Sequence, residues 1–228
     1  MRRWNVLRFI NMVTPVRTVL LLPMGATLVF GAWLEAKNPG SSDSAVAFLM
    51  LLQLFAVSTG FVSHARRGFY DPVLERVPRR AIAHFFCALW PGCIVLVGIG
   101  IAELIAGGRT HALGASAWTA LALISSVAWA VSVRAGALSG GAVWLLASLA
   151  LLLSGRGLNV LGVIKAAELG QASLRDVVET GLLYPVTIPS LNLSTPAEAI
   201  LLGVSATALT AGVEYIARAD FPIREEQG

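Results

Sequence analysis

The sequence predicts an all-α integral membrane protein with six transmembrane helices, and composition and run length carry this prediction. Of the 228 residues, 56% are hydrophobic and only 13% are charged, which is too little polar surface to cover a water-soluble fold. A helix that crosses a bilayer needs about 20 mostly apolar residues. Continuous apolar runs of about this length lie at residues 16–34, 44–63, 82–106, 115–133, 137–154 and 196–217. The whole chain, 1-228, is therefore expected to form a single transmembrane domain.

The distribution of basic residues predicts how the helices are oriented. Loops on the cytoplasmic side of a membrane protein are enriched in Arg and Lys. The basic residues before the first run, between the second and third, between the fourth and fifth, and after the sixth are Arg2, Arg3, Arg8, Arg17, Arg66, Arg67, Arg76, Arg79, Arg80, Arg134, Arg218 and Arg224. Both termini are accordingly placed in the cytoplasm, in a multi-pass protein of the cell inner (plasma) membrane. Topology and anionic lipid account for the basic patches, so nucleic-acid binding is not expected.

The first residues, 1-14, are predicted to form an interfacial helix along the inner leaflet. Phe9 and Ile10 fall on one face of a helical wheel and Arg8 lies opposite, the pattern of a helix that rests in the interface plane. The apolar run that follows, 16–34, is too long for the apolar region of a signal peptide and is interpreted as a retained span. The first outer loop is expected from Glu35 to Ser44.

A short, strongly basic segment separates the second and third runs. It reads Arg66-Arg67-Gly68-Phe69-Tyr70-Asp71-Pro72-Val73-Leu74-Glu75-Arg76-Val77-Pro78-Arg79-Arg80 and is called the basic segment below. Asp71 followed by Pro72 is a helix-start signal, and the apolar residues after it share one edge of a helix. The segment predicts a small amphipathic helix held at the membrane face between two spans.

Polar residues within the apolar runs are candidate sites on a substrate path. Gln53 and Thr59 lie in the second run and Glu103 lies toward the outer end of the third. Polar groups at membrane depth need partners, and they often face a water-filled path. Helix packing through polar side chains is an equally good reading for the second run. For Glu103 the alternative is an acid that reaches the interface or pairs locally.

Residues 156–195 are predicted to form an extracytoplasmic re-entrant insertion of short half-helices. Their apolar stretches, Leu158 to Ala167 and Leu174 to Leu183, are too short to span. Tyr184, followed by a proline, is a candidate gate residue at the end of the insertion. The sequence Thr195-Pro196-Ala197-Glu198 then predicts the start of the sixth span, with Thr195 as its cap.

Motifs for chemistry within this chain are missing from the sequence. There is no phosphate-binding Gly-x-x-x-x-Gly-Lys-Ser/Thr motif and no His-Glu-x-x-His pair. Cys87 and Cys93 are six residues apart, so they do not share a helix face and are not expected to bridge. The chain is therefore predicted not to be an enzyme and to hold no cofactor or metal of its own.

The basic segment and the order of spans resemble the membrane subunit of ABC-2 type (type V) ABC exporters. In that family the cytoplasmic segment after the second span often reads Arg/Lys-Gly-x-x-Asp-x-Leu-Leu, followed by Pro and Arg. Gly68, Asp71 and Leu74 match this pattern, and Pro72 stands at a variable position. The architecture covers the whole chain, whereas the motif covers only residues 66–80.

This resemblance implies a permease that is driven by a separate ATPase. Residues 67-80 would form the coupling helix that docks on an ATP-binding cassette ATPase subunit, which would bind the ATP and Mg. A second six-span subunit, identical or related, would complete the path, and the insertion would shape its outer gate. The docking residues implied are Gly68, Phe69, Tyr70, Asp71, Val73, Leu74, Val77, Arg79 and Arg80.

Two other functions compete with the exporter reading. A non-transporting structural or assembly subunit of a larger membrane complex would have the same composition but no ATPase partner. A secondary transporter is disfavoured because the runs hold few acids and show no repeat of broken helices.

Overall fold

The computed structural model describes residues 21–38, 43–57, 80–106, 112–135, 142, 144, 146, 160–191 and 193–218. Throughout these stretches the regular structure is helical and contains no strand, which confirms the predicted all-α class for the part of the chain that they cover. The helices are α1 (Leu21–Lys37), α2 (Asp43–Ala56), α3 (Arg80–Ile105), α4 (Ala115–Ala135), α5 (Val160–Glu168), α6 (Leu174–Leu183) and α7 (Thr195–Arg218), with a 3-10 turn at Pro185–Ser190.

Two helices, α4 and α7, are long and apolar enough to cross a membrane when the described residues are considered. Their bounds agree closely with the apolar runs 115–133 and 196–217. The third run is likewise confirmed as a helix, since α3 continues for 26 residues through Pro91. The second run extends beyond the described part of the chain, which ends there at Val57.

The start of α7 differs by one residue from the prediction. The Glu198 N–H donates to the carbonyl oxygen of Ser194 at 3.0 Å. Because the residue whose carbonyl accepts the first helical bond is the cap, Ser194 occupies that position and Thr195 is already helical. Pro196 still falls in the first turn, where its missing N–H costs no helical hydrogen bond.

Helix α4 is the centre of the packed core. It contacts α2, α3, α7 and the 3-10 turn. Most of its apolar length is buried, whereas most of the apolar length of α7 is not. Trp129 of α4 packs edge-on against Phe85, with ring centroids 5.5 Å apart. Gly212 of α7 lies so close that a side chain there would run into the Trp129 ring. The α4–α7 interface therefore depends on a glycine facing a tryptophan.

Helices α3 and α4 run in opposite directions. The carboxylate of Glu103, near the end of α3, meets the backbone N–H of Ala112 just before α4. Closer to the start of α3, a Cβ at Gly92 would approach Leu121 of α4 to 2.8 Å. The residue numbers on α3 fall as those on α4 rise, so the two helices form an antiparallel hairpin.

Helix α7 runs parallel to α4. Ser126 and Ser205 share a hydrogen bond of 2.9 Å. Closer to the ends of both helices, the Arg134 guanidinium lies 5.8 Å from the centroid of the Tyr215 ring. Residue numbers rise together along the two helices, so α4 and α7 end at the same face of the molecule.

The directions of helices α1 and α2 follow from their contacts with α3. A Cβ at Gly31 would contact both Ala45 of α2 and Ile99 of α3, and Gln53 near the end of α2 lies against Gly92. Helix α2 therefore runs opposite to α3. Because the short connection 39–42 joins adjacent ends of α1 and α2, α1 runs in the same direction as α3. Among the described helices, α1 and α3 run one way and α2, α4 and α7 run the other.

The insertion between residues 156 and 195 contains the short helices that its apolar stretches predict. Ser173 caps α6, since its hydroxyl oxygen accepts from the Asp176 N–H at 3.1 Å. The 3-10 turn that follows packs against α2 and α4, with Ile188 fully buried. The Trp144 indole donates to the carbonyl oxygen of Leu182 at 2.9 Å. The insertion is therefore fastened to the helix core.

Helix α3 is apolar on its exposed face as well as on its buried face. Ile94, Val97, Ile101 and Leu104 are exposed and follow one another at helical spacing. On the opposite side, Leu96 and Ile99 are buried, as is the carboxylate of Glu103. Large exposed apolar residues occur on α1 and α2 as well, namely Val29, Phe30, Trp33, Phe48 and Leu51.

Candidate functional site

A line of hydrogen-bonded polar side chains crosses the apolar core at one level. Gln53 Nε2 donates to Ser125 Oγ at 3.0 Å, and the next residue of α4, Ser126, shares its hydroxyl hydrogen bond with Ser205 of α7. We call Gln53, Ser125, Ser126 and Ser205 the polar belt. Each of the four is buried, and Ser205 at 8% exposed is the most accessible. The polar belt joins α2, α4 and α7 through side chains.

The two serines of the polar belt face different helices because they are adjacent in sequence. Successive residues of an α-helix point about 100° apart around the helix axis. Ser125 can therefore meet α2 while Ser126 meets α7. Ser126 Oγ also lies 3.2 Å from the Leu123 carbonyl oxygen, to which it can donate, so the hydroxyl proton can serve either acceptor.

A fourth helix, α3, approaches the polar belt through a glycine. A Cβ at Gly92 would lie 2.7 Å from Gln53 Oε1, closer than a side chain tolerates. The residue before it, Pro91, has no N–H and leaves a backbone carbonyl of α3 without its helical donor. The predicted Trp90-Pro91-Gly92 interruption therefore lies at the point where α3 meets the Gln53 amide.

Glu103, near the end of α3, is fully buried within the protein. Its carboxylate accepts the backbone N–H of Ala112 at 3.2 Å on Oε1 and 3.0 Å on Oε2. A carboxylate that accepts a backbone N–H at the mouth of a helix hairpin fixes the geometry of that connection. The structure thus favours local pairing over an acid that reaches the interface.

A second buried carboxylate, Glu35, was predicted in the first outer loop and lies in α1 instead. Helix α1 continues to Lys37, beyond the end of the apolar run at residue 34, and Glu35 is fully buried. Glu35 follows Gly31 by one turn, just as Glu103 follows Ile99, and Gly31 packs against Ile99. The two acids therefore occupy the same end of the bundle on neighbouring helices.

Tyr184 marks the joint between α6 and the 3-10 turn. Its carbonyl oxygen accepts from the Thr187 N–H at 2.8 Å and from the Thr187 hydroxyl at 2.7 Å. Its side chain is half-buried. The structure places Tyr184, Gln53 and Glu103 on separate elements.

The remaining predicted site residues lie mostly outside the described part of the chain. Arg80 is the first residue of α3. The others, which the structure does not describe, are Thr59, Gly68, Phe69, Tyr70, Asp71, Val73, Leu74, Val77 and Arg79. Their docking role stays a prediction.

The sequence reading identified Gln53 but missed Ser125, Ser126 and Ser205. Serines are common packing residues in apolar helices, so nothing in the sequence distinguishes these from their neighbours. Ser125 and Ser126 are adjacent in a helix otherwise dominated by apolar residues, but their separate contacts with α2 and α7 become visible only in the folded structure.

Within the described ranges, no group of three or more His, Cys, Asp or Glu side chains is arranged to hold a metal ion. Comparison of the chain with protein-family models, curated proteins and solved structures finds no match. The function is consequently inferred from the residues and the geometry of this chain.

Proposed function

We propose that this chain is the membrane-spanning permease subunit of an ATP-driven exporter of the ABC-2 type. It forms the substrate path together with a second six-span subunit, and it is driven by separate ATPase subunits that bind the ATP and Mg. The observation that carries the proposal is the basic segment, an amphipathic stretch placed between two apolar helices. The chain itself carries out no reaction in this account.

The distribution of apolar and polar residues supports placement in a membrane. Exposed apolar side chains line α1, α2 and α3, whereas glutamine, serine and glutamate side chains are buried in the core. Exposed apolar patches of this kind are rare on water-soluble monomers. In a bilayer the same faces contact lipid, and the buried polar groups find partners in neighbouring helices.

The helix directions support six spans with both termini in the cytoplasm. Helices α1 and α3 run opposite to α2, α4 and α7, so a helix over the run 137–154 would complete a regular up-and-down order. In that order the end of α2, the start of α3 and the ends of α4 and α7 share one face. Arg80 and Arg134 lie at these ends, which agrees with a basic cytoplasmic side in the inner membrane.

The position of the basic segment supports its role as a coupling helix. The described part of the second run ends at Val57, and α3 begins at Arg80, where the segment is expected to end. A rigid amphipathic helix tethered at both ends to spans can pass the movement of a docked ATPase into both spans. Its apolar edge, which includes Leu74, would enter the partner, and its arginines would surround that contact.

The proposal is tested by purifying the tagged chain from its native membranes and identifying the proteins that elute with it. A P-loop ATPase in a fixed ratio to the chain is the expected result. A reproducible set of other membrane proteins without an ATPase would instead favour the structural or assembly subunit.

A further inference from the structure

We propose that the polar belt is a clamp that makes α2, α4 and α7 move as one body. Through this body, a displacement that reaches α2 from the basic segment further along the chain would be passed on to α7. The functional part of this inference rests on the proposed exporter function. The mechanical part, a clamp across three helices, stands on the hydrogen bonds alone.

The first step is the place of Gln53 near the end of α2. Gln53 lies one turn before Val57, after which the chain leads into the basic segment. Its amide reaches Ser125 in the middle of α4. A pull on the end of α2 therefore acts on α4 through a directional bond, as well as through the apolar contacts of Leu49 and its neighbours.

The second step is the bond that continues from α4 to α7. Ser126 follows Ser125 on a rigid helix and pairs with Ser205. Backbone hydrogen bonds from each N–H to the carbonyl four residues earlier hold an α-helix as a rod, so a rotation at Ser125 also rotates Ser126. If α4 turns to follow Gln53, Ser126 turns with it and carries Ser205 along.

The third step is the break in α3 at the same level. Gly92 allows the Gln53 amide to sit against α3 without a side chain between them, and Pro91 removes one helical hydrogen bond there. Helix α3 is thus in contact with the clamp but weakened at the contact, so it can bend while α2, α4 and α7 stay together.

The clamp is tested by hydrogen–deuterium exchange of the purified full chain in lipid nanodiscs, comparing the unaltered protein with Gln53→Leu. Leucine keeps most of the volume and removes the hydrogen bond. We expect amides of α7 around Ser205 to exchange about threefold faster, the change that corresponds to an average hydrogen bond between membrane helices. Gln53 donates its described hydrogen bond to Ser125 of α4, so we expect a response around Ser205 to pass through α4.

Leu49→Ala is the matched control. Leu49 lies one turn before Gln53 on α2 and is also fully buried, but it makes no polar contact, so it should loosen α2 without a specific change around Ser205. Faster exchange confined to α2 and the facing turn of α4 in Gln53→Leu would overturn the clamp. So would the same α7 response in Leu49→Ala.

A double-mutant cycle supplies a second readout if Gln53→Leu folds poorly. Ser125→Ala and Ser205→Ala each remove one of two separate hydrogen bonds, so their effects on the thermal midpoint should add if the two bonds are independent. If the clamp exists, the fall in thermal midpoint of the double variant should be smaller than the sum of the falls in the two single variants. Strictly additive falls would contradict the clamp. If this coupling is found while purification yields no ATPase, the exporter function fails and the clamp stands.

Discussion

At the scale of single residues, the buried carboxylate of Glu103 needs a hydrogen-bond donor beside it. It accepts the Ala112 N–H on both oxygens, and both groups lie in the buried mouth of the α3–α4 hairpin. The sequence pointed to Glu103 as an unusual acid near a span end. Its partner could not be predicted, because the backbone N–H that it binds depends on how the connection 106–114 folds back.

Two substitutions of Glu103 separate the effect of the hydrogen bond to Ala112 from the effect of the negative charge. Glu103→Leu leaves the Ala112 N–H buried without its acceptor and should lower the free energy of unfolding by about 1–3 kcal/mol. Glu103→Gln keeps one carbonyl oxygen as an acceptor and should cost clearly less. The midpoints of thermal unfolding in detergent would give the order. Equal losses for the two variants would contradict the hydrogen-bond account, and complete loss of folding in Glu103→Gln would show that the charge itself is required.

The close packing of Gly212 against Trp129 requires a residue without a side chain, and the sequence did not predict it. Gly212→Ala places a Cβ into the Trp129 ring and close to the Ala130 backbone, so we expect a loss of about 1–3 kcal/mol from overpacking. Gly203→Ala is the control on the same helix, because its Cβ meets open space and alanine is the better helix former by about 1 kcal/mol. Thermal midpoints that fall equally for both variants would contradict the α4–α7 packing described above.

At the scale of elements, the existence of the long helices was predictable because apolar runs of spanning length have few alternatives. α3, α4 and α7 agree with their runs to within a few residues. The errors came from the ends of elements. Glu35 belongs to α1 because the helix outlasts its most apolar part, and α7 is capped by Ser194 because Thr195 and Pro196 both fit inside the first turn.

The short insertion was also predictable as helical, but its attachment to the core was not. Neither Trp144 nor Leu182 lies in a motif that names its partner, and residues 38 positions apart meet only once the chain is folded. Burial of Ile188 in the 3-10 turn follows from that attachment.

The attachment gives an element-scale prediction. Trp144→Phe keeps most of the ring packing and removes the indole donor to Leu182, which should cost about 0.5–1.5 kcal/mol. The loss should be local, so limited proteolysis ought to cleave faster within residues 169–191 and not elsewhere. Trp118→Phe, at a half-buried position of α4, serves as the control. Cleavage that stays unchanged in Trp144→Phe would show that the bond does not hold the insertion.

At the scale of the whole molecule, the proposed orientation in the membrane rests on charge and helix direction together. In a variant with Cys87 and Cys93 replaced by alanine, a membrane-impermeant thiol reagent added outside intact cells should label Gln171→Cys in the exposed turn before α6. Glu75→Cys in the basic segment should be labelled only after the membrane is opened. Labelling of Glu75→Cys from outside would reverse the proposed topology.

We claim that the basic segment binds an ATPase, which the molar ratio of P-loop ATPase to this chain after gentle purification from native membranes would test. We expect a fixed ratio for the unaltered chain and its loss in Leu74→Asp, which places a charge on the apolar docking edge. Leu161→Asp, the same substitution at an exposed leucine of α5, should leave the ratio unchanged. Absence of an ATPase from the unaltered complex, or an ATPase that remains bound in Leu74→Asp, would contradict the claim.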